Sequence, residues 1–291
     1  MDKLIGTGVA LVTPFNADFS IDTKALSRIV NYCVDGGVDY LVVLGTTGES
    51  VTLNKAEKQL VMETVINANA GRLPLVLGIG GNSTYRVAHE VQSFQSDHFD
   101  AILSVSPYYN KPTQEGIYQH FKAIATISPK PLIIYNVPSR TGANMSPQTV
   151  LRLASDCSNI IGVKEAAGCM DQAFRLLQSK PEDFLVISGD DMIALPMTLT
   201  GGAGVISVLG QGIPSDFSKM IKLALDGKPK EASSLHFKLL NSIDYIFEEG
   251  NPAGIKALLN KRTICEPFVR LPLMEASIEL QEKISTFIDE Y

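Results

Sequence analysis

The 291-residue chain is poor in the groups that metal-dependent and acyl-transfer enzymes rely on. Its four histidines, His89, His98, His120 and His236, fall in stretches of helical spacing away from strand ends. No cluster of His, Asp or Glu therefore offers itself as a metal site, and no metal is expected. The four cysteines, Cys33, Cys157, Cys169 and Cys265, form no CxxC pair and no ligand spacing. They read as scattered core thiols of a reducing compartment, which makes the expected location cytoplasmic. A GxSxG elbow and a phosphate-cradling glycine-lysine loop are also missing, which disfavours serine hydrolysis and phosphate-loop chemistry. A net charge of -6 and a pI near 5.3 give no broad cationic face, so no nucleic-acid partner is expected. No apolar run approaches the ~18 residues of a membrane span, and the stretch at 8–12 that runs into Pro14 is too short for a signal core.

With 45% hydrophobic and 19% charged residues, the chain can bury a large core. Short Val, Ile and Leu runs recur at 8–14, 39–45, 73–80, 100–106, 131–137, 160–164, 184–189 and 202–209. Longer amphipathic stretches separate them, the pattern of parallel strands buried on both faces and joined by helices. Residues 55–70 form one such helix, with Asn54 as its cap; 84–96 and 146–154 form others, the last with Ser146 as cap and Pro147 at its first position. Eight units over about 225 residues fit a closed (β/α)8 TIM barrel, of typical size ~250 residues. A doubly wound open sheet is the alternative, but Gly78-Ile79-Gly80-Gly81 lacks the last glycine of a dinucleotide fingerprint. After residue 226 the strands stop. Residues 227–291 read as a C-terminal helical domain with helices over 230–247, 252–260 and 275–289, and 1–226 as the barrel.

In such a barrel the chemistry sits at the carboxyl ends of the strands. The sixth run ends in Gly162-Val163-Lys164-Glu165-Ala166, placing an amine where a core normally holds a methyl group. Burial disfavours the charged form of an amine and exposes the neutral nucleophile, which captures a carbonyl as a Schiff base. The bland alternative is a lysine that reaches solvent or pairs with Glu165. The second run ends in Gly45-Thr46-Thr47-Gly48-Glu49-Ser50, either an ordinary polar turn or a carboxylate pocket with a proton-relaying hydroxyl. Tyr135 is either a packed aromatic or a proton relay, and Arg140, between Pro138 and Gly142, either a solvated charge or a carboxylate clamp. Gly189 and the Gly202-Ala203-Gly204 stretch leave room for a ligand. Taken on one face of a barrel, these exits converge on a Schiff-base site.

The motifs Gly45 to Ser50, Tyr135-Asn136-Val137-Pro138-Ser139-Arg140-Thr141-Gly142, Gly162 to Ala166 and Ser188-Gly189-Asp190-Asp191 resemble the 4-hydroxy-tetrahydrodipicolinate (dihydrodipicolinate) synthase family, in order and over essentially the whole chain. The resemblance implies a pyruvate-dependent class I aldolase that joins pyruvate to L-aspartate 4-semialdehyde, the first committed step of the diaminopimelate route to lysine, with no cofactor. It implies that Lys164 attacks the keto carbon, that Thr46 and Thr47 hold the pyruvate carboxylate, and that Tyr135 relays protons with Thr46 and Tyr109. Tyr109 is implied to come from a neighbouring subunit, within a homotetramer built as a dimer of dimers. Arg140 is implied to bind the semialdehyde, and the backbone at Gly189 and Ile206 to line the pyruvate pocket and, near Lys164, to help orient it. A sibling aldolase acting on N-acetylneuraminate or a keto-deoxy sugar acid is the alternative within the superfamily, and a silent keto-acid sensor the alternative outside enzymes.

The chain departs from relatives that lysine inhibits. Ser50, Asn82 and Tyr108 match their effector cleft, but Lys55, Lys58 and Arg86 stand where those relatives carry histidines and a glutamate. Three cations repel the ammonium group of lysine, so weak or absent feedback inhibition is expected. Gly210 also departs from the common pattern, with no consequence that the sequence reveals.

Overall fold

Eight parallel strands close on themselves in sequence order: β1 (Gly6–Ala10), β2 (Tyr40–Val43), β3 (Leu75–Gly78), β4 (Ala101–Val105), β5 (Leu132–Asn136), β6 (Ile160–Glu165), β7 (Leu185–Ser188) and β8 (Gly204–Ser207). The computed structural model describes residues 2–94 and 97–291. Helices alternate with the strands, and three more follow the barrel. This is the TIM barrel with a helical extension that the alternation implies, and the open sheet is excluded by the pairing of β8 with β1.

The strand residues divide between two cores. Leu103, Ile133, Tyr135, Ile187 and Ile206 pack inside the barrel, whereas Ile102, Leu132, Ile134, Val163 and Val186 pack outward against the helices. Both sets are buried, which is why the strands read as continuous apolar runs rather than alternating ones.

Local rules set most helix starts. Asn54 and Glu57 form a reciprocal capping box at Lys55–Asn69, and the Ser146 side chain accepts from the Thr149 N–H at Pro147–Asp156. The Lys55 helix ends one residue before the expected position because Ala70 turns left-handed at φ 48°. The helix expected to reach Ser96 runs over Thr84–Ser93, and residues 95 and 96 lie outside the described residues. Phe94 is already extended, so His98 falls in a turn ahead of β4 rather than in a helix.

Two expectations from apolar runs need correction. The first strand lies over Gly6–Ala10 rather than 8–14, because the Gly6-Thr7-Gly8 segment pairs with β8 although it carries little apolar signal. Gly204 serves that seam and not a ligand: a β-carbon on it would lie 2.0 Å from the Gly6 carbonyl oxygen, at the amino end of the barrel. Gly202 likewise backs onto the Met197 carbonyl oxygen, 2.7 Å from where its β-carbon would be.

The last barrel helix is Pro214–Leu225, and Pro229–Glu248, Ala253–Lys261 and Ile278–Glu290 follow it. The final helix starts later than residue 275 because Ser277 is its cap, accepting from the Leu280 N–H. Leu239, Ile246 and Leu258 from these helices join Ile29 and Phe217 in one outer core, which seats the extension firmly on the barrel. Among the described residues no helix is long and apolar enough to cross a membrane.

Candidate active site

Six of the eight expected site residues, Thr46, Thr47, Tyr135, Arg140, Lys164 and Gly189, line one cavity of about 780 Å³ at the carboxyl ends of the strands. Lys164 sits one residue before the end of β6 and is 5% exposed. Its side chain points into the barrel, while the flanking Val163 and Glu165 point outward, as the twofold repeat of a strand requires. Pairing of Lys164 with Glu165 is thereby ruled out. The Glu165 carboxylate instead accepts from Asn136 Nδ2, Gln172 Nε2 and the Ala167 N–H. Burial pushes that carboxyl up from its ordinary range, and these hydrogen bonds offset part of the rise.

Tyr135 is the direct register partner of Lys164 on β5, and the Lys164 Nζ lies 4.4 Å from the centre of its ring. Gly189 closes the other side. A β-carbon there would stand 2.8 Å from Lys164 Cε and 2.7 Å from Ala166 Cβ, so the bare backbone makes room for the lysine stem rather than for a ligand.

Past β2 the chain tightens into a 3-10 turn over Thr46–Gly48, ended by Glu49 in the left-handed region at φ 51°. Thr47 is buried and accepts from Asn251 Nδ2 at 2.9 Å; Thr46 faces the open cavity. A hydroxyl that accepts one bond keeps its own hydrogen for another acceptor, so Thr47 is set to donate to an anion. Arg140 lies on a single helical turn, Pro138–Thr141, and its Nη2 donates to the Asn251 carbonyl at 3.4 Å. Its guanidinium stays exposed at the cavity rim, where a solvated charge also faces the cavity.

Two expected residues stay outside the cavity. Ile206 is fully buried inside the barrel, and Val208, two residues on, lines the cavity in its place. Tyr109 is 88% exposed and does not line its own cavity, and its backbone is left-handed at φ 73°. Of the three cations expected in the effector cleft, Lys58 lines the cavity beside Ser50 and Tyr108, while Lys55 and Arg86 are exposed outside it. Glu90 also lines the cavity and supplies a carboxylate outside the expected site residues.

Several contributors were not among the expected site residues, and Asn251 and Lys256 lie outside the barrel motifs altogether. Asn251, between two helices of the extension, reaches back to touch both Thr47 and the Arg140 side chain. Glu49 points away from the cavity and meets the fully buried Lys256 at 2.5 Å. Burial draws the Lys256 ammonium below the ordinary lysine range, and Glu49 holds back part of that fall. Asp191 is buried behind the Asp190 rim and accepts from the Val208 and Leu209 N–H groups. Burial pushes its carboxyl up from 3.8 to about 6.

Residues 3–291 match the model of the dihydrodipicolinate synthetase family. The chain is 61% identical over 287 residues to a 4-hydroxy-tetrahydrodipicolinate synthase of Flavobacterium psychrophilum, covering 99% of this chain and 98% of that one. The dihydrodipicolinate synthase of Aquifex aeolicus superposes with a TM-score of 0.94 at 39% identity, covering 99% of this chain and 98% of the other. That of Acinetobacter baumannii, described as chloride-inhibited and complexed with pyruvate, superposes with a TM-score of 0.95 at 36% identity, covering 99% and 98%. A match of this length, carried by a buried lysine, its tyrosine neighbour and a threonine turn at one barrel mouth, places the chain in the dihydrodipicolinate synthetase family.

Proposed function

We propose that the protein condenses pyruvate with L-aspartate 4-semialdehyde through an imine on Lys164, the entry step of the diaminopimelate route to lysine. The observation that carries this is the Lys164 amine, 5% exposed at the floor of the cavity and stacked against Tyr135, with Thr46, Thr47 and Arg140 above it.

The amine attacks the keto carbon of pyruvate, and loss of water leaves the imine. The carboxylate takes its hydrogen bonds from the Thr46 and Thr47 hydroxyls, the latter held by Asn251. Removal of a C3 proton gives an enamine, whose carbon attacks the aldehyde carbon of the second substrate. The substrate's own amine then adds to the imine carbon and expels Lys164, closing the ring and freeing the enzyme. Tyr135 relays protons in these steps from its position beside the lysine. Arg140 at the rim takes the carboxylate of the semialdehyde in a charge-assisted contact. A sugar-acid substrate of a sibling aldolase would leave that guanidinium without this partner.

The exposure of Tyr109 outside its own cavity supports a dimer as the smallest complete unit, in which the tyrosine enters the relay of a second copy. We extend this to a cytoplasmic homotetramer made of two such dimers, and to a division of the chain at residue 226 into a barrel and a helical domain. The solution mass tests the assembly. The chemistry is tested by borohydride reduction in the presence of pyruvate, which should leave a stable adduct on the peptide bearing Lys164. A missing label, or a label on another lysine, overturns the mechanism.

A further inference from the structure

Lys256 lies on the Ala253–Lys261 helix of the extension and is 0% exposed, yet it touches neither the cavity nor any group that takes part in the chemistry proposed above. Its Nζ donates to Glu49 Oε1 at 2.5 Å and to the Phe268 carbonyl at 2.7 Å, and it stacks 4.3 Å from the centre of the Phe15 ring. The second oxygen of Glu49 accepts from the Arg270 N–H at 2.9 Å. Both ends of the pair are therefore saturated inside the protein. A buried pair of this kind gives little net stability, because desolvation cancels much of the attraction, so its value lies in the geometry that it enforces.

That geometry concerns the threonine turn. Glu49 is left-handed, which is uncommon for a residue with a side chain, and it terminates the turn that presents Thr46 and Thr47. Its N–H donates to the Thr46 carbonyl, and its own carbonyl accepts from the Thr52 hydroxyl and N–H. Gly48 is tied in turn by the Thr13 hydroxyl at 2.7 Å. The turn reaches the extension at two points, the Thr47 hydroxyl at Asn251 and the Glu49 carboxylate at Lys256 and the Arg270 N–H, and the second fixes the residue that ends the turn.

We propose that Lys256 is a positioning residue, which through Glu49 sets the height and tilt of the Thr46-Thr47 turn and thereby the grip on the substrate carboxylate. The extension is then part of the binding machinery. This rests on the reading that the turn holds pyruvate.

The test compares wild type, Lys256→Met and the double variant Glu49→Gln with Lys256→Met. The double variant removes both charges and so leaves no ion unpaired in the core. Lys261→Met is the control, since Lys261 ends the same helix but pairs with Asp289 away from the turn. Both Lys256 variants should raise the KM for pyruvate by about 10- to 100-fold, while kcat at saturating pyruvate falls by much less. The control should keep the wild-type KM. A folded double variant whose pyruvate KM stays within about twofold of wild type overturns the proposal, and so does a loss of melting temperature without a change in KM. If Lys256→Met does not fold, the double variant decides, and single Glu49→Gln, which keeps the shape of the carboxylate, is judged by the same KM criterion. Absence of a pyruvate adduct in wild type would instead sink the reading of the turn itself.

Discussion

Tyr135 and Lys164 are register partners on neighbouring parallel strands, so their side chains leave the sheet at one level and on one face. The barrel lumen forces them together, with the amine 4.4 Å from the ring centre. Tyr135→Phe keeps the ring and its packing but deletes the proton. Turnover should fall by roughly 10²-fold or more, the scale of general acid–base catalysis, with the circular dichroism spectrum unchanged. A variant with near wild-type kcat would remove Tyr135 from the relay.

Gly189 makes room for the lysine stem. Gly189→Ala puts a carbon 2.8 Å from Lys164 Cε and must displace it. Because a misplacement of about 1 Å costs about 10²-fold in rate, the rate of imine formation should drop by one to two orders of magnitude. Stopped-flow measurement with pyruvate alone isolates that step.

Arg140→Ala should act on one substrate. Loss of a charge-assisted contact of about 1.5–3 kcal/mol raises the KM of the semialdehyde by at least tenfold and spares that of pyruvate. Steady-state kinetics with each substrate varied in turn reads the difference, and an unchanged semialdehyde KM counts against the clamp.

Asp191 predicts a pH dependence of stability. Its folded value, about 6, exceeds the ordinary 3.8, so the folded state binds this proton more tightly than the unfolded state. Its contribution is complete below about pH 4 and is lost as pH rises through about 6. The gap between 3.8 and about 6 corresponds to about 3 kcal/mol. Urea midpoints for Asp191→Asn at three pH values between 4.5 and 7.5 should vary less than those of wild type; parallel curves would refute the assignment.

Lysine should inhibit weakly. Of the three cations expected in the effector cleft, one, Lys58, lines the cavity together with Ser50 and Tyr108, where an incoming ammonium group would meet it. Initial rates at low-millimolar lysine should stay above half of the uninhibited rate. Activity halved by low-millimolar lysine overturns this expectation.

The sequence by itself determined the eightfold alternation, because strands buried on both faces must be apolar throughout and amphipathic helices must cover them. It also located the mouth of the cavity, because Lys164, Tyr135, Thr46, Thr47 and Arg140 each lie near or just past the end of an apolar run, and a barrel brings such ends together. It could not give the start of β1, whose glycines are chosen by pairing with β8 and not by hydrophobicity. It could not separate the Ile206 side chain from the cavity, since a step of two residues along the strand decides between a lumen layer and the layer above it. Tertiary structure alone decided the second half of the site. Asn251 meets Thr47 across 204 residues of chain, and Lys256 meets Glu49 across 207. Such contacts follow no local period; they arise because the extension packs on the barrel's outer core and lays its polar groups where the threonine turn needs partners.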